Sequence, residues 1–120
     1  MRGATLALAL LAAPAFAQQE VSEGTGAVLR GLDKISGLLS DLEIASGDSR
    51  VYGKLLVSVE DCRYPTGNPA GNAFAHVTIH DTIPADRPVL FSGWMVAGSP
   101  ALNALDHQRY DVWVLRCITP

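Results

Sequence analysis

His76 and His80 are the first candidates for chemistry. They lie four residues apart in a stretch that alternates like a strand, so they share a face about 13 Å apart. Zinc–nitrogen bonds are about 2 Å long, so one ion cannot take both directly. The chain has no His-x-His or Cys-x-x-Cys pair to suggest another site. We expect no metal and no cofactor. Ser92, His107 and Asp111 supply the residue types of a hydrolytic triad. Ser92, however, lacks the Gly-x-Ser-x-Gly turn that exposes a nucleophile, and a triad is defined by geometry rather than by residue types. No catalytic residue is assigned.

Binding chemistry has more material. Asp106-His107-Gln108-Arg109-Tyr110-Asp111 is the densest polar cluster. It reads either as a recognition loop or as a clasp in which His107 or Asp111 satisfies local backbone groups. Trp94, Trp113 and Tyr110 could form an aromatic platform for sugar or peptide, or could be core. Along the last apolar stretch, Tyr110, Val112 and Val114 alternate with Asp111, Trp113 and Leu115. That strand is either buried on both sides or has a binding surface as its second side. The candidate interaction surface is therefore Trp94, His107, Tyr110, Asp111 and Trp113.

The elements that must position these residues are short and bounded by turns. Residues 18–26 are polar and Gly-rich and read as a disordered lead-in. Apolar spacing over residues 27–46 fits two strands, 28–34 and 38–44, and also fits a helix. Ser46-Gly47-Asp48-Ser49 is a turn. Val51–Glu60 alternates with period two, with Leu55, Val57 and Val59 on one face, and reads as a single half-buried strand. Residues 65–72 are too rich in Pro and Gly for regular structure. Residues 73–80, 89–96 and 110–117 read as further strands, with a turn bracketed by Pro84 and Pro88. Residues 99–105 read as a short helical turn, with Ser99 as cap and Pro100 in the first turn. The expectation is an all-β domain over residues 27–120, a small antiparallel sandwich or barrel with that one helical turn.

The N-terminus sets the compartment. Arg2, an unbroken run from Ala4 to Ala13, the break at Pro14 and Ala15-Phe16-Ala17 make a cleavable signal peptide, residues 1–17, with cleavage before Gln18. The run is too short to span a bilayer, which needs roughly 20 apolar residues. No second such run follows, so no membrane span is expected after cleavage. Cleavage removes one of nine basic residues and none of twelve acidic ones, leaving a net charge of −4. That balance disfavours nucleic acid and anionic lipid as partners.

Phe91-Ser92-Gly93-Trp94-Met95, Ser99 to Leu105, His107 and Tyr110-Asp111-Val112-Trp113-Val114-Leu115 followed by Cys117 form an ordered series of landmarks. Leu32-Asp33-Lys34-Ile35-Ser36-Gly37, Tyr52-Gly53-Lys54-Leu55, Cys62 and Ala73-Phe74 precede them. In this series the chain resembles DUF 2155, an uncharacterised domain-of-unknown-function family found mainly in alphaproteobacterial proteins with signal peptides. The resemblance covers residues 28–117. The chain departs from it at Val96, where the family has an aromatic, and at Gln108, where it has Pro. The resemblance implies an envelope location and two paired cysteines, and no catalytic residue. The count agrees: two cysteines, Cys62 and Cys117, allow one intramolecular disulfide, and export would keep it oxidised.

The expected role is a non-enzymatic periplasmic protein that binds or supports another envelope component, with an envelope protein as partner. The alternative is a small-ligand or glycan-binding module using Trp94, Trp113 and Tyr110. A metal-dependent or hydrolytic enzyme comes last.

Overall fold

The computed structural model describes residues 20–83 and 88–120. The expected signal peptide and the interior of the turn between Pro84 and Pro88 lie outside the described residues. Among the described residues eight strands are formed: β1 (Val21–Glu23), β2 (Gly26–Asp33), β3 (Leu39–Ala45), β4 (Ser49–Tyr52), β5 (Leu55–Pro65), β6 (Phe74–Asp81), β7 (Val89–Val96) and β8 (Tyr110–Ile118). All pairings are antiparallel. One sheet has the order β1-β5-β6-β7, with β4 also on β5, and the second has the order β3-β2-β8. The protein is a small β-sandwich.

The period-two pattern decides which side chains go between the sheets. From the first sheet, Leu55, Val57, Val59, Ala75, Val77, Ile79, Phe91 and Met95 point inward. From the second, Ala27, Leu29, Leu42, Ile44, Tyr110, Val112 and Val114 meet them. A bulge at Val59/Asp61 shifts the parity of β5, so that Cys62 joins the core and Arg63 faces out. The disulfide links Cys62 on β5 to Cys117 on β8, with Cα atoms 5.7 Å apart, and so ties one sheet to the other. Nearby, β1 runs on into β2 and changes sheets. Gly24 donates its N–H to Cys62 O at 2.7 Å, and Thr25 donates to Ile118 O at 2.8 Å. A methyl at Gly24 would stand 2.9 Å from Cys117 Cβ, which is why the crossing takes a glycine.

Three expectations require correction. The lead-in is not structureless, because Val21–Glu23 pairs with Arg63–Pro65 and fills part of the β5 edge. The single strand expected over Val51–Glu60 is instead a hairpin: Tyr52 pairs with Leu55, and Gly53 with φ +57° starts the two-residue turn. No helix forms at 99–105. The segment makes one turn, Leu102 N–H to Ser99 O at 3.0 Å, before other contacts capture it. Asn103 Nδ2 donates to Trp94 O at 3.0 Å, and Leu105 is buried. These tertiary contacts outweigh the weak propensity of a helix only seven residues long.

The two strands fitted to residues 27–46 are present as β2 and β3, joined by a turn with Gly37 at φ +76°.

Candidate functional site

The β2–β3 turn, the β4–β5 turn, the chain after β6 and the start of β8 gather at one end of the sandwich. Asp33, the last residue of β2, organises this end. Its Oδ1 accepts the N–H groups of Ile35 (3.0 Å) and Ser36 (3.4 Å), which makes an Asx turn. Gly37 donates to Asp33 O at 2.7 Å, and Leu38 N–H reaches Ser36 Oγ at 3.3 Å. From β8's side, Arg109 grips the Asp33 carboxylate through Nε and Nη2 at 3.0–3.3 Å. That grip holds the Asp33 carboxyl below, and the Arg109 guanidinium above, their ordinary ranges. Lys34 Nζ donates to His107 O at 2.6 Å and stands 3.5 Å from Asp111.

Of the two candidates for the clasp, His107 takes the backbone groups, and Asp111 stands beside Lys34. His107 Nδ1 accepts the backbone N–H groups of Arg109 (3.0 Å) and Tyr110 (3.2 Å). An imidazole that accepts there carries its proton on Nε2. Nδ1, which an orienting carboxylate would hold in a triad, is thus already occupied by backbone. Ser92 stands elsewhere, in a row of hydroxyls across the first sheet, 3.4 Å from Thr78 Oγ1.

Tyr110 does not belong to a surface. It is 3% exposed, its ring meets Tyr52 edge-on at 5.3 Å, and its hydroxyl accepts Lys54 N–H at 3.3 Å. Burial pushes the Tyr52 phenol up. Gly31 and Gly53 make room for this pair, since a methyl at either would collide with a tyrosine ring. The pattern had signalled this outcome, because Tyr110 shares the parity of Val112 and Val114.

The clasp leaves a tip that sequence reasoning missed. Ile35, Leu38 and Leu39 are 76%, 68% and 58% exposed, on a turn whose backbone is fixed by the bonds above. Their signal was Leu-Leu beside Gly37 in a turn, where polar residues are the rule. The charges around the tip are matched: Asp33 with Arg109, Lys34 with Asp111, and Arg30 with Asp41 at 2.7 Å.

The two tryptophans stand on different sheets. Trp113, half-buried on the outer face of the second sheet, lines a hollow with Pro100, Ala101, Ala104 and Leu105. Trp94 is on the outer face of the first sheet, lining another hollow with Val21, Arg63 and Phe74. The platform of Trp94, Trp113 and Tyr110 is therefore not assembled. His76 stacks edge-on against Trp94 at 5.3 Å and lies 3.3 Å from Glu60. Among the described residues no group of three or more His, Cys, Asp or Glu is placed to hold a metal.

The landmarks met in the sequence now have places. Leu32 to Gly37, Tyr52 to Leu55, His107 and Tyr110 converge on the clasp end. Gly93, Trp94 and Asn103 meet at the edge of β7, and Cys62 and Cys117 join the sheets. A profile of an uncharacterised protein family conserved in bacteria, DUF2155, matches residues 27–117. The chain belongs to the DUF2155 family. No curated protein and no solved structure matches the chain. In this DUF2155 chain the matched span runs from the first core residue of β2 to the disulfide cysteine of β8.

Proposed function

We propose that this protein is exported by a cleaved signal peptide, residues 1–17, and acts in the periplasm as a non-enzymatic protein. In this reading it supports another envelope component by docking a protein partner on the Ile35–Leu39 tip. The observation that carries it is the tip itself: three large aliphatic side chains held out to solvent by a backbone that is already fixed. A rigid apolar knob loses little conformational entropy on binding, and exposed apolar groups concentrated in one place mark interaction sites. Charges around the knob form three pairs, and an apolar knob ringed by paired charges suits a neutral apolar groove on a protein.

A photo-crosslinking residue at Leu38, with Glu43 on the outer face of β3 as control, tests this in the native host. A discrete adduct from position 38 and none from position 43 is expected. Equal patterns, or no adduct from either, would sink the docking reading. Fractionation tests export separately: the mature chain should begin at Gln18 in the periplasmic fraction, and an intact Met1 terminus on accumulated protein would overturn that part.

A further inference from the structure

The outer face of the first sheet carries a second, independent feature. The hollow between Val21, Phe74, Trp94 and Arg63 measures about 250 Å³. The register explains its position. Arg63 pairs with Phe74, Phe74 with Val96, and His76 with Trp94, so side chains from β5, β6 and β7 share this face. Val21 of β1 closes one side. Trp94 is 38% exposed, unusually open for so large a ring.

Arg63 is set in place before any ligand arrives. Its Nε donates to Asp61 Oδ2 at 3.0 Å, and its Cζ lies 5.1 Å from the Trp94 ring centroid. Among the described residues it makes no other side-chain hydrogen bond, so its Nη donors are available. The edge of His76 steadies the same indole at 5.3 Å. Around this arrangement stand Glu23, directly opposite Arg63 in the β1–β5 register, together with Glu60 and Asp61. Asp61 thus holds the guanidinium directly, Glu23 faces it across the strand pair, and Glu60 stands on His76.

This composition narrows the ligand. An anion would gain Arg63 but meet Asp61 on the same guanidinium and Glu23 opposite it. A cation would meet Arg63 where it needs the indole face. A wholly apolar group would strip water from the polar rim with nothing in return. A neutral group combining a methyl, a hydrogen-bond acceptor and several hydroxyls satisfies every element. We propose that this hollow binds an N-acetylated amino sugar of a glycan. The acetamido methyl packs against Phe74 and Val21, and its carbonyl accepts from Arg63. The sugar's hydroxyls donate to Asp61, and its ring lies against the part of Trp94 that Arg63 leaves exposed. The site is apart from the Ile35–Leu39 tip and does not depend on what docks there.

The chain has two tryptophans, so a Trp113→Phe variant makes Trp94 the only indole reporter. Mature protein with this change is titrated with the tetramer of N-acetylglucosamine, with calorimetry on the unchanged protein alongside. A saturable change in Trp94 emission and matching heat are expected. Cellotetraose, with hydroxyls in place of acetamido groups, and the deacetylated tetramer should give neither. Arg63→Ala should weaken binding by about tenfold or more, the loss of one hydrogen bond from a charged donor, with an unchanged circular dichroism spectrum. Binding that ignores the acetamido group, or no saturable binding by the unchanged protein, would overturn the proposal. So would an Arg63→Ala variant that binds like the parent. Loss of the Leu38 adduct in Arg63→Ala, without any sugar binding by the parent, would reassign the hollow to the protein partner and equally overturn it.

Discussion

The two ends of the sandwich are closed by different means. At one, Cys62 and Cys117 join the sheets covalently, and Gly24 lets the β1–β2 crossing run against the disulfide. At the other, Asp33, Lys34, His107 and Arg109 form a half-exposed polar clasp over the packed rings of Tyr52 and Tyr110. Beside that closure the covalent end carries the hollow of Val21, Arg63, Phe74 and Trp94. The clasp end spends its hydrogen bonds on a turn that presents Ile35, Leu38 and Leu39 to water. The two ends are thus held by different chemistry, and each should respond to a different perturbation.

The largest effect belongs to the covalent end. A Cys62→Ala/Cys117→Ala variant releases a loop with a sequence separation of 55. Chain-entropy reasoning gives a loss of about 4 kcal/mol for such a loop. Chemical denaturation under oxidising conditions should show that loss, and the parent should show it only after reduction. A variant as stable as the parent would mean that the sheets are held mainly from the clasp end.

Next comes the floor of the clasp end. Gly31→Ala forces a methyl into the Tyr52 ring, and overpacking of this kind costs about 1–3 kcal/mol. If denaturation shows no loss, the tyrosine pair is looser than its packing implies.

The clasp itself should be read by pH. The Asp33 carboxyl is held low by its hydrogen bonds from Arg109. A carboxyl depressed in the folded state stabilises the fold above its unfolded value, about 3.9. That contribution is lost as pH falls through the lower folded value. Asp41, held low by Arg30, adds to the same slope. Thermal midpoints should therefore be insensitive to these groups from neutrality to mild acid and fall below the ordinary carboxylate range. Asp33→Asn should lower the midpoint at neutral pH and flatten the acid slope. An unchanged slope in Asp33→Asn and Asp41→Asn together would remove the clasp from the account of stability.

The smallest effect on stability is expected at the tip. Leu38→Ser sits on an exposed turn, so denaturation should show a change within about 0.5 kcal/mol. A Leu38→Ser change should nevertheless abolish a cross-link placed at Ile35 if the tip docks a partner. A large stability loss would instead show that the tip packs on its own domain.

Much of this contrast was legible before the structure, and the reasons differ by end. Alternation within Leu55–Val59, Ala75–Ile79 and Tyr110–Val114 named the inward faces, because a half-buried strand imposes period two. The cysteine pair followed from count and compartment. The hairpin at Gly53 was missed because Val51 and Leu55 keep the same parity across a two-residue turn, so the pattern runs on unbroken. The bulge that turns Arg63 outward shifts parity, and alternation alone could not place Arg63 beside Trp94. Residues 99–105 carry good helix-start residues, but Asn103 and Leu105 find stronger partners on β7 and in the core. Tyr110 was grouped with the surface by its polar neighbours, although its parity with Val112 pointed inward. The exposed tip ran against the ordinary rule that turns are polar, and the Asp33 bonds that fix its backbone leave no mark in the hydrophobic pattern.

The pairing of β2 with β8 has a consequence in time. β2 is the central strand of the second sheet, and one of its two partners is the last strand of the chain. A chain made from its N-terminus can assemble β2, β3, β4, β5, β6 and β7 early, but β2 keeps one edge open until the final residues arrive. Contacts between the first and last parts of a sequence are the slowest to form. Arg109 and His107, which fix the turn, and Cys117, which closes the covalent link, all come with that last segment. A shortened chain that stops before His107 therefore has neither closure and leaves one edge of the central strand unpaired, which makes it prone to aggregate. Completion of the chain and closure of both ends of the sandwich are thus one event in this protein, because the same late stretch supplies both locks.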